Sequence, residues 1–499
     1  MRVRLSNHRA SERPGTPDTG RIPDGGRIPD GGRGSVVAVG VVVSAVFMAN
    51  LDLWIVNLAL VDMGAGFGGS LAGLSWVVNA YAVTLAAVLV PAGRLGDRFG
   101  HRRVFLLGTA VFTLASAACA LAPDLPVLVA ARVLQAAGAA AQLPTSLALL
   151  MATVPAHRRM AVARGWSAVG AVAAVTGPVL GGLLVQASWR WVFVVNLPIG
   201  LTAWLLGRRR LPRPARRADG PMPDILGSLV LLLGVAGLTG ALVQAPGWGW
   251  ASPATLGLLA ASVLALLGFA VRCRRHPSPI VEPHLLRIRR FASANLAVAL
   301  FGTSFAIMLL SNSLWCQDVW HYPPLRTGLA MVPGPAMVPL ATAASARLLR
   351  RVGPGPVAAA GGVLFAAALL WRVLLAGTTP DYARDLLPSM LVSGVGVGLA
   401  LGTLIAAGAT ALPEGRSATG SAVINSTRQV ASALGVAVLV TVLGSHPATP
   451  AGSLPGYRLA WTIGTGLAMA AAAVSLLLDR RGTARAARSG RTDEPVRAG

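Results

Sequence analysis

The chain has 499 residues, of which 54% are apolar and only 12% charged, with a mean hydropathy of +0.64. That is more apolar surface than a soluble core can bury, so lipid is its main solvent. All 43 basic residues are Arg, and without a Lys there is neither a P-loop lysine nor a Schiff-base lysine, which argues against a typical ATP-driven pump or a pyridoxal enzyme.

Residues 1–34 are polar and Arg-rich and contain the tandem repeat RIPDGG-RIPDGG from Arg21 to Gly32, too poor in apolar residues to fold; they read as a disordered tail. The first apolar run begins at Ser35 and is long enough to span, so it reads as a retained helix and not as a cleaved signal. Stretches of about twenty apolar residues, each able to cross a hydrocarbon core of ~30 Å, then follow in series. Six fall at 36–60, 73–92, 104–122, 126–149, 163–185 and 191–207, and two more at 225–245 and 254–271. Another six fall at 292–315, 327–346, 356–376, 385–407, 421–444 and 458–478. The expected fold class is an all-α polytopic membrane protein of fourteen spans arranged 6+2+6. Its expected divisions are a first six-helix bundle over 35–207, a linker region with two extra helices over 208–290, a second bundle over 291–478 and a tail over 479–499.

The arginines orient this chain. With the N-terminus inside, the inner segments hold 36 arginines and the outer loops five, while Arg132 and Arg428 are read as lying within spans. So steep a bias predicts both termini in the cytoplasm of a cell with the protein in its inner membrane. The net charge of +25 then faces anionic lipid, and no nucleic-acid partner is expected. Cys119, Cys273 and Cys316 lack any CxxC spacing, so no disulfide framework, metal site or cofactor is indicated.

An internal repeat supports two halves. GRLGDRFGHRRV (Gly93 to Val104) follows the second span and ARLLRRVGPGPV (Ala346 to Val357) the tenth, with Arg94/Arg347, Leu95/Leu348, Arg98/Arg351 and Gly100/Gly353 in register. Gly93, Gly96 and Gly100 suit a tight loop, and Asp97 is the sole acid among Arg94, Arg98, Arg102 and Arg103; the functional reading is a cytoplasmic latch, the plain one a solvated basic loop.

Of 18 acidic residues only Asp52 lies squarely within a predicted span. A carboxylate there costs ~2.5 to 3.5 kcal/mol on insertion scales and is by default a functional candidate. At 1.5 Å per residue Asp52 lies ~8 Å and Arg132 ~9 Å from the outer face, so the two share a depth. Gln135 lies on the same helix face as Arg132. Asp52 is read as the proton-loading group and Arg132 as its partner, against a permanent structural pair or a snorkelling cation. In the fifth span, Gly177, Pro178, Gly181 and Gly182 predict a kinked, tightly packed helix suited to gating. Trp54, Asn57, Trp76, Asn79, Tyr81, Gln135, Gln317 and Arg428 are candidates for lining a cavity, and Asp318 for its outer mouth.

Together LDLWIVNLAL (Leu51 to Leu60), the helix 2 segment running into GRLGDRFGHRR, ARVLQAAGAAAQLP (Ala131 to Pro144), TGPVLGG, SWRWVFVVNLPIG (Ser188 to Gly200) and NSTRQVASALGVAV (Asn425 to Val438) resemble the fourteen-helix drug:proton antiporters of the major facilitator superfamily. The resemblance covers roughly 35–478 and implies two rocking six-helix halves, a coupling acid at Asp52, an arginine of proton transfer at Arg132 and export rather than import. Trp54 departs from the pattern, where a small Thr is usual, as do Val61, Ala136 and Ala173. The expectation is a monomeric, proton-coupled antiporter, with no enzymatic activity, exporting small, largely hydrophobic molecules, as in multidrug efflux and antibiotic resistance. A narrow exporter of a single metabolite is the alternative within transport. An integral-membrane enzyme would need paired acids for a metal within the spans, and a non-transporting sensor would need a folded output domain.

Overall fold

The computed structural model describes residues 33–154, 159–212, 222–412, 417–446 and 449–479. The tail expected to be disordered lies outside the described residues, apart from its last two positions. Among the described residues fourteen helices are long and apolar enough to span. The first six are α1 (Val36–Phe67), α2 (Leu71–Phe99), α3 (His101–Ala120), α4 (Leu125–Ala152), α5 (Ala168–Ala187) and α6 (Trp191–Arg210). Two more are α7 (Ile225–Trp248) and α8 (Pro253–Arg275). The rest are α9 (Arg289–Val319), α10 (Pro324–Val352), α11 (Pro354–Leu375), α12 (Tyr382–Thr410), α13 (Gly420–Gly444) and α14 (Ala451–Leu478). Helices satisfy every backbone group within the segment, which is why a chain of this composition crosses lipid in no other open form. The face where α1 begins and α14 ends is called the terminal face below, and the other the opposite face.

Four helices that start at the opposite face share one device. Ser70, Asp124, Ser252 and Thr449 accept from the backbone N–H of Gly73, Val127, Thr255 and Gly452, so a side chain meets an amide that the first turn leaves unpaired. After three of these caps a proline follows at the first or second helical position, where its missing N–H costs nothing.

Helix length exceeds span length at several ends. α1 runs on to Phe67, and α2 continues through Gly93 to Phe99, so most of the expected loop after the second span is helix. Hydropathy reads the thickness of the hydrocarbon, whereas a helix can continue into the headgroups with its arginines in water. Only Gly100 makes the turn, at φ 94°, and Gly353 repeats it at φ 84° between α10 and α11. Both take a backbone that a side chain resists.

The repeat extends into the packing. α3 crosses α4 where a Cβ on Gly108 would meet Gly138 O at 2.8 Å and one on Gly138 would meet Phe112 N at 2.6 Å. α11 crosses α12 the same way, with Gly361 on Gly396 O at 2.7 Å and Gly396 on Phe365 N at 2.9 Å. Gly108/Gly361 and Phe112/Phe365 keep the offset that relates Gly100 to Gly353. The inserted pair α7–α8 is tied by Asp224, which caps α7 at Gly227 N (2.7 Å) and pairs with Arg272 of α8 at 2.7 Å. α7 fills the gap between α2 and α13, where Ala82, Val83, Val235 and Ala433 form one cluster and Thr441 donates to Leu242 O at 2.7 Å.

Two charge assignments change. Arg372, counted among the outer loops, is buried in the last turn of α11. Asp62, Asp318 and Asp385 join Asp52 inside helices, in the end turns of α1, α9 and α12, because those helices reach further than the apolar runs that define them.

Candidate functional site

Asp52 sits midway along α1 and is wholly buried, as is Arg132 two turns into α4. One terminal nitrogen of Arg132 donates to Asp52 Oδ2 and, at 2.6 Å, to Gln135 Oε1. Its Nε donates to Val77 O of α2 at 2.9 Å. Gln135, three residues along the same face, turns its amide the other way: Nε2 donates to Asp52 Oδ1 and to Ser116 Oγ of α3, both at 2.9 Å. Asn196 completes the shell from α6, donating to Asp52 Oδ1 at 3.3 Å, and the Tyr81 ring lies under the guanidinium with its centroid 4.2 Å from Cζ. Asn196 reaches the acid because α6 breaks at Val195, just ahead of Pro198.

Five helices thus converge on one carboxylate within the first half. A buried charge is tolerable only when paired and hydrogen-bonded, and Asp52 has both. Protonating Asp52 removes its side of the pair and leaves Arg132 held by Gln135, Val77 O and the Tyr81 face. The Cys119 thiol of α3 lies 3.8 Å from Gln135 Oε1.

The gating motif makes contact across the halves. A Cβ on Gly177 would lie 2.5 Å from Trp54 Cβ, and one on Gly181 would lie 3.1 Å from Ile55 Cα, so α5 rests on α1 without side chains between them. Gly182 would meet Leu325 Cα and Pro324 O of α10 at 2.7 Å, and Gly328 of α10 would meet the Pro178 carbonyl. Nearby, Ser313 Oγ of α9 donates to Asn57 O at 2.9 Å, Gln317 Nε2 donates to Leu58 O at 3.2 Å, and Trp54 packs edge-on against Phe305. Apart from the α5–α1 packing at Gly177 and Gly181, these contacts join the halves on the side of the opposite face.

On the side of the terminal face α1 and α5 instead line a cavity of about 440 Å³, walled by Gly40, Val43, Phe47, Val169 and Val172, with Ser44 as the one hydroxyl among the described side chains. The remaining cavity candidates are dispersed. Trp76 packs on Gly240 of α7, Arg428 runs along Gly302 of α9, and Asn79 is buried on α2 with both amide atoms lacking a partner among the described residues. Asp97 stands at the exposed end of α2, 3.4 Å from His101. Arg94 reaches the segment after α8, donating to Ser278 O at 2.8 Å and lying 3.9 Å from Glu282, while Arg102 donates to Arg208 O. Arg98 stacks on Phe99, and Gly93 gives α2 room beside Pro144 of α4.

Ser116, Asn196 and the Val77 carbonyl were not legible as site groups. Asn196 carried a signal, a lone amide beside a proline in an apolar span, whereas Ser116 and a backbone oxygen carry none.

The sequence profile of the Major Facilitator Superfamily matches residues 42–436. The chain belongs to this superfamily. It is 34% identical over 408 residues to the methylenomycin A resistance protein of Streptomyces coelicolor, covering 80% of this chain and 83% of that one. It is 35% identical over 408 residues to the multidrug resistance protein Stp of Mycobacterium tuberculosis, covering 80% and 74%. Among solved structures, an auto-inhibited peptide transporter of the POT family superposes with a TM-score of 0.63 at 17% identity over 94% of this chain and 99% of that one, a likeness of fold. With superfamily membership and, among the described residues, fourteen helices long and apolar enough to span, the protein is a multi-pass membrane protein of transporter type.

Proposed function

We propose that this protein is a proton-coupled antiporter that exports small, largely hydrophobic molecules by alternating access, with Asp52 loading the proton and Arg132 as its reporting partner. The observation that carries the reading is the buried Asp52–Arg132–Gln135–Asn196 network, one titratable charge walled off from both faces. The terminal face is taken as cytoplasmic and the membrane as the cell's inner membrane, in keeping with the arginine bias. On that orientation the contacts near Gly182 and Gln317 seal the outside while the apolar cavity between α1 and α5 serves the inside. The 6+2+6 division, with α7–α8 as an insertion between rocking halves, and a monomeric state complete the proposal.

The cavity wall supports an apolar substrate, since among its described side chains Ser44 is the one able to hydrogen-bond. A single-metabolite exporter is the second reading, favoured by the relative named for resistance to one antibiotic. Proton release from energised inverted vesicles, followed with a pH-sensitive dye across a panel of lipophilic compounds, tests both. Many compounds dissipating the gradient with wild type and none with Asp52→Asn supports broad antiport, and one active compound supports the narrow reading. Equal activity in Asp52→Asn removes the carboxylate from the mechanism.

A further inference from the structure

The second half contains a buried arginine that this mechanism leaves unused. Arg372 donates through Nε to Ser389 Oγ at 2.7 Å, through one terminal nitrogen to Asn312 Oδ1 and through the other to Met390 Sδ at 3.3 Å. Every one of these acceptors is neutral, and among the described residues no carboxylate lies within ion-pair distance of it. Asp385, in the first turn of α12, is buried too. Its Oδ2 accepts from Gly377 N at 3.3 Å, but its Oδ1 has no hydrogen-bond partner and lies 3.9 Å from Nε of the exposed Arg384. Arg372 and Asp385 line the same small cavity, about 10 Å³, which is room for one water, and Asn312, Trp315, Trp320 and Trp461 close it.

We propose that Asp385 is a second proton-binding carboxylate, joined to Arg372 through a single water in this cavity, so that each cycle carries two protons, one in each half. The inference rests on the proton-coupled reading above. A water there donates to Oδ1 and accepts from the guanidinium, meeting the orphaned oxygen and the unpaired cation at once. The other charged and titratable groups around the cavity are Asp381 and Arg384 on the same segment, Tyr382, Cys316 and Asp318 of α9, and Tyr457 and Arg458 of α14, the last donating to Ala376 O at 3.3 Å. Trp315 packs edge-on against Tyr457 and Trp461 at 5.0 and 5.2 Å, and those two rings lie tilted at 5.8 Å, a wall contributed by α9 and α14. Parting of that wall when the opposite face opens admits the proton, and its closure restores the water-bridged pair.

The stoichiometry tests this. Full-length protein in proteoliposomes, with membrane potential clamped and a neutral compound taken from the vesicle screen, is brought to zero net flux at a series of imposed pH gradients. In wild type the balancing compound gradient rises with the square of the proton gradient, and in Asp385→Asn in direct proportion to it. A squared dependence that survives in Asp385→Asn, or simple proportionality in wild type, overturns the second site and leaves the Asp52 reading standing. No dependence on the proton gradient in wild type overturns both. Should Asp385→Asn fail to fold, wild type treated with dicyclohexylcarbodiimide decides: adducts on Asp385 that increase as pH falls support the site, and their absence at every pH while Asp52 is labelled overturns it.

Discussion

Arg132 and Arg372 put the same ion into the two halves of one repeated scaffold and surround it differently. The glycine crossings match, Gly108 on Gly138 and Gly361 on Gly396, but Arg132 meets a carboxylate while Arg372 meets an amide, a hydroxyl and a thioether. Duplicated backbone packing therefore leaves the electrostatics free to diverge. A close helix crossing depends on the absence of a Cβ, which the repeat preserves, whereas the partner of a buried cation is set by one residue on a neighbouring helix and changes with one substitution.

The largest effect is expected where the charge itself is removed. Asp52→Asn keeps the shape but turns one acceptor oxygen into a donor, so the chain inserts at a cost in stability while proton-driven export falls to the level of vesicles lacking the protein, as read by substrate efflux. Removing the cation instead, as in Arg132→Gln, strands a buried carboxylate and costs about 3 to 5 kcal/mol of stability. Arg372→Gln breaks bonds to neutral acceptors and costs about 1 to 3 kcal/mol. Thermal unfolding in one detergent measures both, and equal losses would break the contrast between the halves. Arg132→Lys is milder: a single ammonium cannot reproduce the fixed fork that serves Val77 O, Gln135 and Asp52, and export is expected to fall about tenfold, equivalent to ~1.4 kcal/mol. Wild-type rates and pH profile in that variant would mark Arg132 as a passive cation. The scaffold comparison is sharpened by Gly138→Val against Gly396→Val, each expected to cost about 1 to 3 kcal/mol through overpacking, and to a similar degree. Smallest are Gly100→Ala and Gly353→Ala, each forcing a side chain into a left-handed turn at about 1 to 2 kcal/mol, again in parallel if the turns are true counterparts.

Most of this architecture was legible because lipid imposes it. The number of spans followed from runs of apolar residues, and the depth match of Asp52 and Arg132 followed from helix rise alone. What escaped was whatever depends on helix ends and neighbours. Arg372, inside the expected span 356–376 but three residues from the end of α11, was counted with the outer loop, and its burial is decided by the neighbouring helices that its own sequence does not reveal. Trp76 and Tyr81 looked alike as aromatic residues of one helix, yet one faces the inserted α7 and the other lies beneath a guanidinium, a difference fixed by which helices surround α2. The network's Ser116 came from a helix whose own pattern gave it no distinction.

The meeting of α5 and α10 has an energetic consequence. Gly182 and Gly328 bring backbone against backbone and contribute no side chain, so parting them exposes little apolar area at these positions, and at ~25 cal/mol per Å² such a contact resists opening only weakly. At these positions the halves lie close enough to exclude water while burying little apolar side chain. On the alternating-access mechanism proposed above, a ligand or proton that favours the other arrangement by a few kcal/mol would then redistribute the two populations, within reach of the binding energies that small molecules possess.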